Sequence, residues 1–129
     1  DPADPKWWKE VIRLSDGNGA DVIFENVGQS TFEGSLRALA RGGRLVTCGA
    51  TSGSQATVEL NRLFFKNQQI IGSTMGRRED LTRLLKLQQQ GKIQPVIDST
   101  FPLQQIHSAH QRMESRESCG KIVITPWKE

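Results

Sequence analysis

Tyrosine is absent from the sequence, cysteine occurs only twice, and no long apolar run is present. Because a membrane helix needs roughly 20 consecutive apolar residues, the chain is not expected to span a bilayer. The two cysteines, Cys48 and Cys119, have neither the spacing of metal ligands nor the number that a disulfide framework requires. We therefore expect a reducing, cytoplasmic setting.

The excess of basic charge is small and dispersed. Lys and Arg number 17 against 14 Asp and Glu, which gives a formal net charge of +3. Nucleic-acid binding is not expected, because it requires a basic stripe interleaved with aromatic side chains. The sequence also begins without a methionine or an apolar leader, from which we expect a processed chain or a piece of a longer protein.

Two apolar runs end abruptly at small residues. They read DVIFENVG at residues 21–28 and RLVTCGA at residues 44–50, and a shorter run, QIIGST, follows at 69–74. Continuous apolar runs of this length are typical of strands that are buried on both faces, as in a parallel sheet beneath helices. The same interpretation assigns Cys48 to a buried strand, in a small apolar role.

Helical patterns separate these strands. After the first run, Ser30 and Glu33 have the spacing of a capping box, and Gly42-Gly43 predicts the end of that helix. Further helices are expected at 5–14, 76–93 and 104–117, a short helical segment at 58–68, an extended segment at 94–103 and a final strand at 120–126. Alternating helices and strands predict an α/β fold with a parallel sheet.

Several residues outside the strands have ambiguous roles. His107 and His110 are three apart on a predicted helix, but two imidazoles without a nearby carboxylate or thiolate favour a helix surface over a metal site. The Trp7-Trp8 pair is more typical of packing against the sheet than of stacking on a base. Arg77-Arg78 follows the third strand and favours a solvated helix start over a phosphate contact.

The order of GADVIFENVG, RALARGGRLVTCGATSG, NQQIIGSTMG and CGKIVITP resembles the medium-chain dehydrogenase/reductase superfamily over residues 5–126. The resemblance is strongest to its quinone-oxidoreductase and zinc-type alcohol-dehydrogenase branches. It implies a partial Rossmann-like parallel sheet, the last half of a dinucleotide-binding domain, followed by a carboxyl-terminal helix and strand. It further implies a partial dinucleotide-binding domain at residues 1–92 and a segment at 93–129 that returns to the catalytic-domain side.

The resemblance also implies cofactor-binding residues. Ligands of open α/β sheets lie at the carboxyl ends of the strands. The resemblance implies contacts to the nicotinamide ring, its ribose and the diphosphate of NAD or NADP. The residues that would make them are Asn26, Val27, Gly28, Gly49, Ala50, Thr51, Ser73, Thr74 and Lys121. Small residues at these positions are also what a tight turn requires, and taken one by one they leave that alternative open. Their order and family pattern favour the cofactor.

Parts of the family pattern are absent. No G-x-G-x-x-G occurs in the sequence, so the turn that receives the pyrophosphate is missing. The catalytic-domain metal ligands are also absent, and any zinc of the parent protein is expected outside this chain. No catalytic residue is assigned. We expect the carboxyl-terminal portion of a longer enzyme, with little or no activity of its own.

The implied function of the parent protein is NAD(P)H-dependent oxidoreduction of a carbonyl, quinone or enone, of the quinone-reductase or alcohol-dehydrogenase type. The alternative is a non-enzymatic half-domain that folds and dimerises, with weak or no nucleotide binding. A homodimer through strand 69–74 is expected, because an apolar edge strand presents unpaired backbone groups. Family members often join their sheets in this way.

Overall fold

A computed structural model describes residues 4–126, and the chain divides after Met75 into two compact units. The first contains α1 (Trp7–Leu14), β1 (Ala20–Glu25), α2 (Phe32–Ala38), β2 (Leu39–Thr47), α3 (Leu60–Phe65) and β3 (Gln69–Gly72). The second contains α4 (Arg78–Gln89), β4 (Ile97–Pro102), one 3₁₀ turn (Leu103–Gln105), α5 (Ile106–Glu114) and β5 (Lys121–Thr125). The predicted α/β fold is confirmed. The functional boundary expected between residues 92 and 93 stays a prediction.

The first unit is built on a parallel three-stranded sheet in the order β1-β2-β3. Leu45, at the centre of β2, pairs with Ile23 on one side and with Ile70 on the other. Its side chain is fully buried with Leu36 and Leu39, and these three form the core of the unit. The parallel arrangement brings the carboxyl ends of the three strands to the same edge of the sheet.

Strand β1 is buried on one face only. Glu25 is 3% exposed and Ile23 packs against the core, whereas Val22 is 52% and Phe24 is 70% exposed. The prediction that this strand is buried on both faces was therefore wrong. The reason is that nothing in the described part of the chain covers the face that carries Val22 and Phe24.

Helix α2 begins and ends differently from the prediction. Thr31, not Ser30, is its N-cap residue, and no side chain caps it, so the expected capping box was wrong. The helix ends at Ala38, and β2 starts at the next residue rather than after the glycine pair. Gly42 adopts a left-handed φ of 72° inside an irregular first part of β2, and regular pairing starts at Arg44. The glycines thus shape a bulge rather than a helix end.

Helix α1 packs on α2 through an indole ring. A methyl group built on Gly34 would lie 3.1 Å from the Trp7 ring, so the ring lies directly over the glycine. The expected packing of a tryptophan on the sheet was wrong, since Trp7 contacts a helix instead. The neighbouring Trp8 lies 5.5 Å from the Arg37 guanidinium, within cation–π distance.

The second unit pairs β4 with β5 in a parallel two-stranded sheet. Helix α5 packs on both strands. Between the helix and β5 lies an apolar cavity of about 130 Å³, lined by Ile106, Ala109, His110, Met113, Ile122 and Ile124. None of the helices in the described residues is long and apolar enough to cross a membrane.

Candidate functional site

Eight of the nine predicted cofactor-binding residues lie where the strands of the first unit end. Asn26, Val27 and Gly28 follow β1 directly, and Gly49, Ala50 and Thr51 follow β2 after one intervening residue. Ser73 and Thr74 follow β3. The loops that these residues belong to are called the first, second and third strand-end loops below. The ninth residue, Lys121, is the exposed first residue of β5 in the second unit.

Hydrogen bonds join the three strand-end loops. The Val27 carbonyl oxygen accepts bonds of 2.7 Å from both the N–H and the hydroxyl of Ser52. The Gln29 N–H donates to the Gly53 carbonyl at 3.1 Å. The Ser73 N–H donates to the Thr47 carbonyl at 2.9 Å, which connects the third loop to the end of β2. The first and second loops are therefore joined directly, and the third is joined to them through the end of β2.

Two glycines allow the first and second loops to approach closely. A methyl group built on Gly28 would lie 2.6 Å from the Gly53 carbonyl oxygen and 2.9 Å from the Ala50 Cα. One built on Gly49 would lie 2.9 Å from the Asn26 carbonyl oxygen. Side chains at either position would force the loops apart. Gly28 also has a φ of +89°, which L-residues rarely adopt.

A cavity of about 270 Å³ opens between these loops and α2. Gly28, Gly49 and Ala50 line it, together with Phe32 and Val58. Its volume lies just below the range of roughly 300–1,000 Å³ that is usual for small-molecule sites. It is therefore smaller than a typical site for a whole small-molecule ligand.

The carboxylate of Glu25 lies beneath the first strand-end loop. It accepts hydrogen bonds from the N–H groups of Val27 and Gly28 at 2.8 and 3.0 Å. It also accepts bonds from the hydroxyls of Thr31 and Ser35 on α2. Burial by itself would raise the pKa of this carboxyl, but the four donors outweigh burial and lower the pKa below its ordinary value. Glu25 is therefore an anion within the turn.

Glu25 was not among the residues predicted from the sequence. An acidic residue that ends an apolar strand is a signal in itself, and Thr31 and Ser35 have the i, i+4 spacing that puts two hydroxyls on one face of α2. The sequence analysis also did not identify Ser52 and Gly53, the residues of the second loop that form hydrogen bonds to the first loop. Their signal is weak, because a polar loop sequence does not reveal its partners.

The remaining candidates of the sequence analysis lie elsewhere. Cys48 follows β2 and is exposed, so its assignment to a buried strand was wrong; its N–H donates to the Glu25 carbonyl at 3.0 Å. His107 and His110 are exposed on α5. Between residues 4 and 126, no group of three or more His, Cys, Asp or Glu side chains is arranged to hold a metal ion. The described residues therefore do not fit a zinc site.

The sequence matches the family model for zinc-binding dehydrogenases over residues 6–124. Among curated proteins, it is 31% identical over 122 residues to acryloyl-coenzyme A reductase of Sulfurisphaera tokodaii, covering 94% of this chain and 36% of the relative. It is 32% identical over 127 residues to quinone oxidoreductase-like protein 2 of Bos taurus, covering 91% of this chain and 36% of the relative. The chain thus spans about a third of the length of these relatives.

Solved structures give the same result. An NAD-dependent alcohol dehydrogenase superposes with a TM-score of 0.76 at 36% identity, covering 95% of this chain and 36% of that one. The 2-octenoyl-CoA carboxylase reductase CinF, solved in complex with NADP and 2-octenoyl-CoA, superposes with a TM-score of 0.77 at 27% identity, covering 99% of this chain and 31% of CinF. The chain belongs to the zinc-binding dehydrogenase family and corresponds to a carboxyl-terminal portion of the medium-chain dehydrogenase/reductase superfamily.

Proposed function

We propose that the chain is the part of an NAD(P)-dependent medium-chain oxidoreductase that receives the nicotinamide end of the cofactor. The observation that supports this most is the close approach of the first and second strand-end loops at Gly28 and Gly49, beside a cavity at the carboxyl ends of the sheet. Ligands of open α/β sheets bind at this edge. The flat nicotinamide ring suits a surface from which side chains are excluded.

The roles of individual residues follow from their positions. Asn26 and Val27 would lie along the nicotinamide ribose, and Gly49, Ala50 and Thr51 would line the ring together with Ser73 and Thr74 from the third loop. The cofactor supplies the redox chemistry when it is bound, and these residues bind and orient it. Lys121 is proposed to contact the diphosphate or ribose, where its ammonium group would neutralise negative charge.

The turn after β1 is unsuited to the pyrophosphate. A phosphate-binding turn offers free N–H groups to its ligand. Here the N–H groups of Val27 and Gly28 already donate to the Glu25 carboxylate. A second anion would meet the negative charge of Glu25. This favours the nicotinamide half of the cofactor, rather than the pyrophosphate, at the turn after β1.

The substrate class follows the relatives. Their names describe reductases of acryloyl-CoA and crotonyl-CoA and a quinone oxidoreductase-like protein, so a carbonyl, enone or quinone is proposed for the whole protein. A cytoplasmic location is proposed, in keeping with two free cysteines. No step is assigned to zinc, since the described residues do not fit a zinc site.

A homodimer through β3 is also proposed. Strand β3 pairs with β2 on one side, and in the described part of the chain no strand pairs with its other edge. The residues Ile70 and Ile71 in this strand are 38% and 39% exposed. An apolar open edge favours pairing with a second copy about a two-fold axis, which would give one continuous sheet.

The two halves of the cofactor provide the test. Reduced nicotinamide mononucleotide (NMNH) and adenosine monophosphate are each titrated into the ¹⁵N-labelled chain, and the backbone amide shifts are followed by NMR. We expect NMNH to shift the amides of the three strand-end loops and adenosine monophosphate to leave them unchanged. Equal shifts from both ligands, or shifts from adenosine monophosphate alone, would contradict the proposal.

A further inference from the structure

The first strand-end loop contains an internal anion. The Glu25 side chain is almost entirely buried, and its two oxygens accept hydrogen bonds from two backbone N–H groups and two hydroxyls. A buried carboxylate that is not balanced by a cation is costly unless donors surround it. The number of donors here therefore indicates that the ionised form is part of the folded structure.

The donors occupy the positions that define the shape of the loop. The Val27 and Gly28 N–H groups are the second and third after the end of β1, and both point inward to Glu25. Because the Val27 N–H points inward, the Asn26 carbonyl of the same trans peptide points the opposite way, and Asn26 as a whole is exposed. The Asn26 carbonyl oxygen then lies 2.9 Å from where a Gly49 methyl group would be.

The same contacts extend to the second strand-end loop. Fixing Val27 fixes its carbonyl, which accepts both bonds from Ser52. Fixing Gly28 places it against the Gly53 carbonyl and the Ala50 Cα. Two of the three loops of the candidate site therefore take their geometry from the Glu25 carboxylate.

We propose that Glu25 is a positioning residue for the nicotinamide site: its buried carboxylate replaces an external anion inside the turn and holds Asn26–Gly28 in the shape that faces the cofactor. The loop-fixing role depends on contacts alone, and the link to nicotinamide rests on the proposed function. Glu25 itself makes no contact with the ligand.

The positioning of the loop depends on the negative charge of Glu25 and not only on the shape of its side chain. The groups that contact the carboxylate from its own loop and from α2 are amides and hydroxyls. At the end of β2, the Cys48 thiol is the titratable group that faces Glu25, with its sulfur 3.8 Å from the Glu25 backbone carbonyl oxygen. No cation contributes to its lowered pKa. Glutamine would keep the shape, but its amide nitrogen donates and would oppose donors that now point at an oxygen.

The test compares Glu25→Gln with Glu33→Gln, a matched change of an exposed glutamate on α2. Hydrogen exchange of the Val27, Gly28 and Ser52 amides is measured by NMR, together with the affinity for NMNH. We expect Glu25→Gln to lower the protection of these amides and to weaken NMNH binding by roughly tenfold, as when a charge-assisted hydrogen bond becomes a neutral one. Glu33→Gln should leave both unchanged.

A pH titration of the unmodified chain tests the charge directly. The Val27 and Gly28 amide shifts should titrate with a midpoint below the ordinary glutamate pKa of about 4.3. If Glu25→Gln does not fold, Thr31→Val removes one donor and should shift that midpoint upward.

Unchanged loop protection in Glu25→Gln, or amide shifts that do not titrate, would overturn the role of Glu25. Loop protection that falls without any change in NMNH affinity would overturn its link to the ligand. If NMNH shifts no amide of the unmodified chain, the proposed function fails instead, and the exchange comparison still decides whether Glu25 fixes the loop.

Discussion

At the scale of single residues, Gly28 occupies a position that no side chain fits. A methyl group there meets the Gly53 carbonyl at 2.6 Å, and the φ of +89° is unfavourable for alanine. We expect Gly28→Ala to reduce the free energy of unfolding of the first unit by about 1–3 kcal/mol, from backbone strain together with the clash. Urea unfolding followed through the fluorescence of Trp7 and Trp8, in a Trp127→Phe background, measures this.

Gly17 provides a matched control for that substitution. It has a φ of +86°, but a methyl group built on it meets no atom within 4 Å. Gly17→Ala therefore reports the backbone strain alone. Equal losses in the two variants would show that the approach of the loops at Gly28 contributes nothing.

Asp98, in β4 of the second unit, is a carboxylate held by several hydrogen-bond donors. Its carboxylate accepts bonds from the Arg112 guanidinium at 2.9 and 3.1 Å and from the Cys119 N–H at 2.9 Å. The bond from Arg112, followed by that from Cys119, lowers the pKa of Asp98 well below its ordinary range.

The direction of this shift predicts acid sensitivity. Because the folded-state pKa is depressed, ionised Asp98 stabilises the fold fully above the ordinary aspartate pKa of about 3.9, and the stabilisation is lost as the pH falls further. We expect the protection factors of the amides in residues 97–125, which are corrected for the intrinsic pH dependence of exchange, to fall in acid. At neutral pH, Asp98→Asn should lower them to a similar extent. Asp21→Asn, an exposed change in the first unit, is the control, and an equal effect from it would contradict the prediction.

At the scale of helices and strands, Gln68 connects α2 to the segment before β3. Its side-chain amide lies 3.1–3.5 Å from the carbonyl oxygens of Leu36, Leu39 and Ala40, at the buried end of the helix. Its own Oε1 has no partner in the described residues. We expect Gln68→Leu to cost roughly 1–2 kcal/mol, since three carbonyls lose a donor while one unpartnered oxygen is removed.

The neighbouring Gln69 is exposed and serves as the control for urea unfolding. Gln69→Leu makes the same change of side chain at an exposed position, where no buried carbonyl loses a donor. A loss in Gln68→Leu no larger than in Gln69→Leu would mean that the helix end does not depend on this amide.

The proposed dimer can be tested through the backbone direction of β3. The Ser73 N–H donates to Thr47 of β2, so alternation along the strand directs the Ile71 N–H inward as well and the Ile70 N–H toward the open edge. Ile70→Pro should therefore convert the dimer to a monomer in analytical ultracentrifugation, because it removes an edge donor. Ile71→Pro should instead destabilise the sheet. A dilution-independent monomer for the unmodified chain would exclude the dimer.

The element order and the parallel sheet could be predicted from the sequence, whereas several local features could not. The strands could be identified because each is an apolar run of several residues that ends at turn residues, and this pattern recurs along the chain. The capping box at Ser30 and the helix end at Gly42 were wrong because each pattern also suits another structure: Thr31 binds Glu25, and Gly42 forms a bulge in β2. Such choices depend on partners that are distant in sequence, such as Lys66, whose carbonyl accepts from the Gly42 N–H at 2.7 Å.

In the candidate site, too, some features could be predicted from the sequence and others could not. Small residues at the ends of strands predicted eight positions that the structure brings to one edge of the first unit. The carboxylate that holds the first strand-end loop was not predicted, because a single buried acid has no periodicity. Exposure of Val22 and Phe24 was also unexpected, since an apolar run does not reveal whether both faces are covered.

At the scale of the whole molecule, we expect no turnover from this chain alone. The sequence has no pyrophosphate turn. A helix dipole worth about 0.3–2 kcal/mol and two charge-assisted hydrogen bonds of about 1.5–3 kcal/mol each are thus unavailable to the cofactor. Their loss lowers affinity by roughly a thousandfold or more, so binding should be millimolar or weaker.

A spectrophotometric assay of NADH and NADPH with quinones, aldehydes and enones checks this expectation. Oxidation above the buffer rate that disappears in Gly49→Trp, in which a side chain fills the site, would contradict it. Micromolar affinity for NADPH in calorimetry would do the same.

The central claim is that nicotinamide lies at the carboxyl ends of β1, β2 and β3. Intermolecular nuclear Overhauser effects between the ring protons of NMNH and the ¹³C,¹⁵N-labelled chain test it most directly. We predict contacts to Gly49 and Ala50, to Val27 and to Ser73, at millimolar ligand. Contacts confined to the apolar cavity between α5 and β5, or none at a concentration that saturates the amide shifts, would contradict it.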